Sequence, residues 1–376
     1  MIKSMKLCLR IIDGVIHRSH PSYLVFFVTS QCNCSCSMCF FRENIRKQAD
    51  RGELSIQIID RIAHSMRPLP QLLLSGGEPF LRQDIADIVE SFYLHAGTRQ
   101  ITIPTNGTIP QQIPQAVTAI LEKCPEAYLN INLSMDGIGE AHDMSRGLKG
   151  CFKMVCETYR HLEKIREKQN RLSINFLTVI KKDNSKKVLD IVEYIKNNFN
   201  ANYHSLRLVR GNVGESEKIF DMEKIKPALD SFYSEKKGFS KLPVFNRISP
   251  SIVRLIWEIQ LESMQKEERC FTCLAGKKMV VITPQGDLVP CEPLWLEPEA
   301  YLDKESSGFV MAHLKEYDYD VQKALGASKS KGIKKFIAGK KCWCIYGCAI
   351  FNGLIYSPMM YPKLLIEMVR SGGERS

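Results

Sequence analysis

Four thiols crowd the segment QCNCSCSMCFF, at Cys32, Cys34, Cys36 and Cys39, and six more fall late in the chain, at Cys270, Cys273, Cys291, Cys342, Cys344 and Cys348. The remaining cysteines, Cys8, Cys124, Cys151 and Cys156, are scattered and read as small buried hydrophobes. Clustered thiols in a reducing compartment point to a metal or to redox chemistry rather than to structural disulfides. The spacing Cys32-x3-Cys36-x2-Cys39 puts three thiolates on one short loop, where they could hold three corners of an iron–sulfur cube. A [4Fe–4S] cube normally takes four cysteines, so three leave one iron open to a substrate or cofactor. Cys34, one residue away from Cys36, reads as a bystander. A structural zinc ion is the competing reading of the same thiols.

Such a loop needs a frame to hold it. Apolar, β-branched or aromatic runs predict strands at 22–29, 71–75, 100–104, 128–135, 172–180 and 203–209, with helix-period stretches between them. Strands alternating with helices imply an α/β fold with a parallel sheet. Six units are too few to close the eight-stranded barrel, so a partial (β/α)6 barrel is expected. Sites in such sheets gather at the carboxyl ends of the strands. The cysteine loop follows the first strand and SGGEP follows the second, so both fall on that rim. After about residue 212 the pattern changes to polar-rich helices at 216–236 and 249–268, then to the hairpin-like run MVVITPQGDLVPCEPL at 279–294. The expected organisation is an amphipathic segment at 1–20, a core at 21–240 and a small cysteine-rich domain at 241–376.

With 376 residues, 44% of them hydrophobic, the chain can bury a substantial core. No apolar run reaches the roughly 18–20 residues a membrane span requires, and no cleavable signal is visible, which predicts a cytoplasmic protein. The net charge of +11 favours an anionic partner, although the basic residues are spread as on a solvated surface. In MIKSMKLCLRIIDGVIHR, Ile2, Met5, Leu9, Ile12 and Ile16 recur at gaps of three and four, with Lys3, Lys6, Arg10 and His17 off that stripe. This is an amphipathic basic helix, of a kind that lies on a membrane surface or packs on a core. The apolar LIYSPMMYPKLLIEMV could extend such a surface, which predicts peripheral contact with the inner face of a membrane as one option. No interleaving of aromatic and basic residues speaks for nucleic acid.

The loop Cys32-x3-Cys36-x-Met38-Cys39, followed by GGEP (76–79) at the next strand end, resembles the radical S-adenosylmethionine superfamily. The resemblance implies a [4Fe–4S] cluster on Cys32, Cys36 and Cys39 whose open iron chelates the methionine amino and carboxylate groups of S-adenosylmethionine. It also implies reductive cleavage to a 5′-deoxyadenosyl radical and an electron donor such as flavodoxin or ferredoxin. Gly76 and Gly77 would let backbone approach a ligand, Glu78 would accept from the methionine ammonium, and Pro79 would fix the turn. Ser134, in SMDG, would touch the ribose, and Arg146 would hold the methionine carboxylate or the ribose. Asn106, in PTNG, and Asp136 read equally as turn residues or cofactor contacts.

In the tail, Cys273-x12-Gly286-x4-Cys291 resembles the SPASM and twitch extensions of the same superfamily, which bind auxiliary iron–sulfur clusters. The tail has fewer cysteines than a full SPASM domain, and only Cys344-x3-Cys348 matches the final motif. One auxiliary [4Fe–4S] cluster is therefore expected and a second is not. Its ligands would be Cys270, Cys273, Cys291 and Cys348, with Cys342 or Cys344 as an alternative fourth; a four-thiolate zinc site competes. Glu292 is a candidate general base, against the plainer reading of a solvated surface glutamate. The expected substrate is an anionic peptide or a lipid-like small molecule. The alternatives are a non-catalytic iron–sulfur or zinc protein and a radical methyltransferase acting on nucleic acid.

Overall fold

The computed structural model describes residues 20–48, 52–66, 68–211, 213, 215–218, 222–234, 243–300 and 308–373. Six strands lie side by side, all parallel and in chain order: β1 (Tyr23–Thr29), β2 (Gln71–Gly76), β3 (Gln100–Thr105), β4 (Tyr128–Ser134), β5 (Leu172–Ile180) and β6 (Tyr203–Leu208). This is the expected partial barrel. The sequence YLVFFVT of β1 is buried on both faces, as a run of apolar residues in a central parallel strand must be. Between the strands run α1 (Ile56–Ser65), α2 (Ile85–His95), α3 (Gln112–Lys123), α4 (Glu140–Arg146), α5 (Cys151–Lys168) and α6 (Val188–Asn198). Each longer helix turns an apolar stripe inward: Ile59, Ile62 and Ala63 of α1 and Ile88, Val89 and Phe92 of α2 are fully buried against the sheet.

The tail follows as α7 (Pro243–Lys266), the antiparallel pair β7 (Met279–Ile282) and β8 (Asp287–Val289), α8 (Glu292–Leu296), β9 (Ala312–His313) and α9 (Gly347–Tyr356). The hairpin forms where the sequence predicts it, but it does not stand apart. β7 pairs parallel with β1, Tyr23 opposite Met279 and Phe26 opposite Ile282, so the sheet runs β6-β5-β4-β3-β2-β1-β7-β8-β9. A bare β1 edge would leave a row of backbone donors and acceptors unpaired, and the fully buried MVVI strand covers it. The tail is thus built onto the core sheet rather than beside it.

Among the described residues no helix is long and apolar enough to cross a membrane. The amphipathic helix expected at the N-terminus lies outside the described residues, as does Cys8. In the C-terminal apolar segment Leu354, Ile355, Tyr356 and Met360 are buried, whereas Met359, Leu365, Ile366 and Val369 are exposed.

Candidate active site

At Thr29 the chain leaves β1 and turns onto the carboxyl rim as the cysteine loop. Glu53 fixes its start, accepting from Thr29 Oγ1 at 2.6 Å and from Ser30 N at 2.9 Å. The end of β2 approaches from the side: Gly77 N donates to Thr29 O at 3.0 Å and Glu78 N to Gln31 O at 2.8 Å. This contact explains the glycine pair. A Cβ on Gly76, at φ +134°, would meet Thr29 O at 2.3 Å, and one on Gly77 would meet Gln31 O at 2.0 Å. The close approach expected of these glycines is made to the protein's own cysteine loop.

Glu78 is buried and already engaged. Its Oε1 accepts from Phe80 N (3.2 Å) and Thr105 Oγ1 (2.8 Å), and its Oε2 accepts from Asn106 N (2.7 Å), joining the ends of β2 and β3. Burial lifts its pKa to about 7 against the opposing pull of these donors. A carboxylate offers about four acceptor sites, so one remains for a ligand. Pro79 opens a short 3-10 turn, Pro79–Leu81. Asn106 does turn chemistry, its Oδ1 accepting from Thr108 N (3.0 Å) and Thr108 Oγ1 (2.7 Å). It also ties β3 to the cysteine loop, donating from Nδ2 to Asn33 Oδ1 at 2.7 Å. Ser134 ends β4 and is buried.

Cys36 is buried, while Cys32 and Cys39 are half-buried. Cys34 does more than stand by. Its thiol hydrogen-bonds with Cys151, Cys32 and Cys36, and these contacts hold its proton firmly. The same contact with Cys34 lowers Cys32, and it brings Cys36 down to about 6, with the Arg146 charge adding to the effect against the cost of burial. Burial pushes Cys39 up to about 11. Cys151 in turn lies 3.4 Å from His142 Nε2, and burial holds this imidazole neutral with a pKa of about 3. Asp136 N donates to His142 Nδ1 at 3.0 Å, which continues the network to the end of β4.

Arg146 closes α4 against this loop, with Ser35 N donating to its carbonyl at 3.0 Å. Its Nη2 lies 2.5 Å from Asp136 Oδ2 and its Nη1 lies 3.7 Å from Cys36 Sγ. Asp136 also accepts from Val179 N at 2.8 Å, so it is a buried counter-ion as well as a turn residue. Arg146 Nε is buried without a hydrogen-bond partner. From the end of β5, Lys181 Nζ donates to Ser37 Oγ at 3.3 Å. Nothing in the sequence pattern marked Lys181, Cys151 or Asn33 as supports of the loop.

A small cavity beyond the hairpin is lined by Cys273, Cys291, Cys342 and Cys344, together with Pro293 and Leu294. Burial raises all four thiols, Cys342 to about 11 and Cys344 to about 12. The expected set Cys270, Cys273, Cys291 and Cys348 is not brought together. Cys270 Sγ donates to Glu268 O at 3.7 Å on a partly exposed turn, and Cys348 Sγ accepts from Tyr23 Oη at 3.7 Å. The reason is local geometry. Cys342 and Cys344 lie in non-helical chain, where residues two apart share a face, whereas Cys348 sits in the first turn of α9 and is directed at β1.

Glu292 is buried, which corrects the surface reading. It pairs with Arg210 and accepts from Tyr346 Oη at 2.7 Å. The Arg210 guanidinium lies 4.5 Å from the ring centroids of both Phe40 and Tyr346. Arg210 follows β6, Phe40 belongs to the cysteine loop, and Glu292 opens α8. The group therefore clasps the two open ends of the partial barrel. A cleft of about 540 Å³, lined by Tyr203, His204, Phe232 and Val253, opens at the amino end of β6, away from the thiols.

Both thiol sets are soft sulfur donors of the kind that iron–sulfur clusters and zinc take. Among the described residues, three or more metal-ligand atoms within 4.8 Å of one another occur only at Asp60, His64 and His95, so neither thiol set is that tight. One zinc ion with Zn–S bonds of about 2.3 Å would hold its sulfurs about 3.8 Å apart. The wider spacing and the unpartnered Arg146 Nε fit a larger bound group.

Residues 26–195 match the radical SAM superfamily. The AdoMet-dependent heme synthase of Methanosarcina barkeri is 28% identical over 288 residues, 72% of this chain and 76% of that protein. The antilisterial bacteriocin subtilosin biosynthesis protein AlbA of Bacillus subtilis is 22% identical over 274 residues, 72% of this chain and 55% of that protein. In fold, the chain resembles SuiB of Streptococcus suis bound to S-adenosylmethionine, with a TM-score of 0.59 at 16% identity over 88% of this chain and 72% of that one. SuiB bound to the precursor peptide SuiA superposes with a TM-score of 0.53. Residues 26–195 thus carry a radical SAM domain, which the chain shares with enzymes such as the heme synthase.

Proposed function

We propose that the protein binds a [4Fe–4S] cluster through Cys32, Cys36 and Cys39 and S-adenosylmethionine beside it, and abstracts hydrogen from a peptide or a lipid-like small molecule. The observation that carries this reading is the rim loop itself, with two of its thiols biased toward thiolate and the buried Arg146 against Cys36. When bound, a cube with one open iron supplies the electron that splits the sulfonium to a 5′-deoxyadenosyl radical. The chain's own residues bind and orient. Arg146 Nε meets the methionine carboxylate or the ribose, the last acceptor site of Glu78 takes the methionine ammonium, and Ser134 meets the ribose. Cys34 keeps its proton and lowers Cys32 and Cys36, so these two enter ligation with little cost of deprotonation, whereas the buried Cys39 gives up its proton only as it ligates.

In the tail, Cys273, Cys291, Cys342 and Cys344 hold one auxiliary [4Fe–4S] cluster. Four thiolates leave no open iron, which favours electron transfer or scaffolding over substrate binding. The core at 21–240 and the tail at 241–376 act together through the β1–β7 pairing. Glu292 remains the candidate base, supported by its burial and its bond to Tyr346. A peptide substrate is supported by the likeness to SuiB and by the net charge of +11, and a small-molecule substrate by the likeness to the heme synthase. The enzyme works in the cytoplasm with a flavodoxin or ferredoxin as donor. The exposed Met359, Leu365, Ile366 and Val369 support peripheral membrane contact.

Anaerobically reconstituted protein with dithionite and S-adenosylmethionine should release 5′-deoxyadenosine, and Cys36→Ala should abolish the release. Zinc at the rim loop, or an intact cluster that forms no 5′-deoxyadenosine, would overturn the proposal.

A further inference from the structure

We propose that Asp60, His64 and His95 form a binding site for a divalent cation of the zinc class on the outer helical layer, independent of the thiol chemistry. Asp60 and His64 stand four residues apart on α1 and so share one face, and His95 is the last residue of α2, the neighbouring helix. One ligand atom from each of the three residues lies within 4.8 Å of the others. A tetrahedral ion with nitrogen and oxygen ligands at about 2.0–2.2 Å would hold them roughly 3.3–3.6 Å apart, so rotations of half-exposed side chains close the site. Those side chains are 44%, 58% and 31% exposed, which leaves room for a water ligand.

The surroundings prepare each donor. Ser91 Oγ donates to Asp60 Oδ1 at 2.7 Å and holds the carboxylate in place, with His95 Nε2 3.3 Å from the same oxygen. His64 Nδ1 lies 2.8 Å from Asp60 O, and a carbonyl only accepts, so Nδ1 carries the hydrogen and Nε2 presents its lone pair. An imidazole whose other nitrogen donates to a backbone carbonyl is the usual state of a metal-ligating histidine. The two rings stack with centroids 3.6 Å apart and planes at 21°, which brings the two imidazoles together across the seam between α1 and α2. Both histidines also sit in the last turns of their helices, where the helix dipole favours positive charge. Nitrogen and carboxylate donors suit zinc, nickel or copper(II). A bound ion would bridge the carboxyl ends of α1 and α2, at the opposite end of the barrel from the cysteine loop.

The test compares wild type with the His64→Gln/His95→Gln double variant, both reconstituted anaerobically and dialysed against graded zinc. The same thiols are present in both proteins, so the difference in bound zinc isolates this site. Wild type should hold about one more zinc per chain, and the variant's affinity at that site should fall at least about tenfold. Zinc should also raise the melting temperature of wild type more than that of the variant. With cobalt, the difference spectrum should show ligand-field bands without thiolate charge transfer. Equal zinc binding in the two proteins, or thiolate charge transfer in the difference spectrum, would overturn the proposal. His64→Gln alone, at a half-exposed position, provides the same comparison should the double variant fold poorly.

Discussion

The thiols of the rim loop come from one short run of chain, 32–39, whereas those lining the tail cavity come from three separated places: Cys273 before β7, Cys291 after β8, and Cys342 with Cys344 before α9. On the rim, spacing alone limits which sulfurs can meet, because a few residues of backbone join them. In the tail, the direction in which each segment leaves its element decides, and the cavity gathers Cys342 and Cys344 where motif alignment favours Cys270 and Cys348. The electrostatics differ as well. Cys32 and Cys36 are both lowered by Cys34, and Cys36 also by the Arg146 guanidinium, while all four tail thiols are raised by burial. A lowered thiol is ready to ligate and to exchange; a raised one ligates only as its proton is displaced.

Single cysteine substitutions test this contrast most strongly. Two cubes amount to about eight irons per chain, and loss of either site leaves about four. Cys36→Ala should halve the iron and remove 5′-deoxyadenosine formation. Cys344→Ala should halve the iron but leave that formation in place, and Cys348→Ala should change neither. Iron analysis of the three variants decides between the cavity and the motif: halved iron in Cys348→Ala with full iron in Cys344→Ala would restore the set expected from spacing.

The arginines of the two regions should differ next. Arg146→Ala leaves the wholly buried Asp136 without its counter-ion, a change worth about 3–5 kcal/mol in the denaturant midpoint of cluster-free protein. Arg210 is 23% exposed, so water partly replaces it beside Glu292, and Arg210→Ala should cost less than half as much. Equal losses would mean that the barrel clasp is as tightly built as the rim.

Backbone contacts give a smaller separation. Gly77→Ala drives a methyl group into Gln31 O and should cost about 1–3 kcal/mol, with a matching loss of iron from the rim site. In the hairpin, a Cβ on Gly286 would meet the movable Leu54 side chain at 3.2 Å, at φ +88°. Gly286→Ala should therefore cost about 1 kcal/mol in backbone strain and leave the rim iron intact.

All six core strands were legible because each is a compact apolar, β-branched or aromatic run between helix-period stretches, and the rim position of Cys32, Cys36 and Cys39 followed from them. The pairing of MVVI with β1 was not legible, since a run buried on both faces carries no mark of which strand it joins. Glu78, Asn106 and Arg146 were found as rim residues, but their bonds to Thr105, Asn33 and Asp136 depend on loops meeting across the sheet. Cys34 was passed over because spacing counts only what a residue can ligate, not which neighbours its proton can serve. Glu292 looked like a surface residue because its partner, Arg210, lies 82 residues away in the chain.

The regions also separate by pH. Glu78 has an ordinary value of 4.5, and burial lifts it to about 7 in the fold, so the native state binds this proton more tightly than the unfolded chain. Its contribution to stability is complete below pH 4.5 and is lost as the pH rises through 7, a change on the order of 3 kcal/mol. Cys36, lowered from 9.0 to about 6, acts with the opposite sign: its contribution is complete above pH 9 and is lost as the pH falls through 6. Cys342 and Cys344, raised to about 11 and 12, keep their protons throughout this range and add no slope. The interval from pH 4.5 to 6 thus belongs to Glu78 among these groups. The denaturant midpoint of cluster-free wild type minus that of Glu78→Gln should fall across that interval, because the buried His142 and His204, both lowered to about 3, add the same opposing slope to the two proteins. Identical slopes would show that the donors joining β2 to β3 offset the cost of burying this carboxylate.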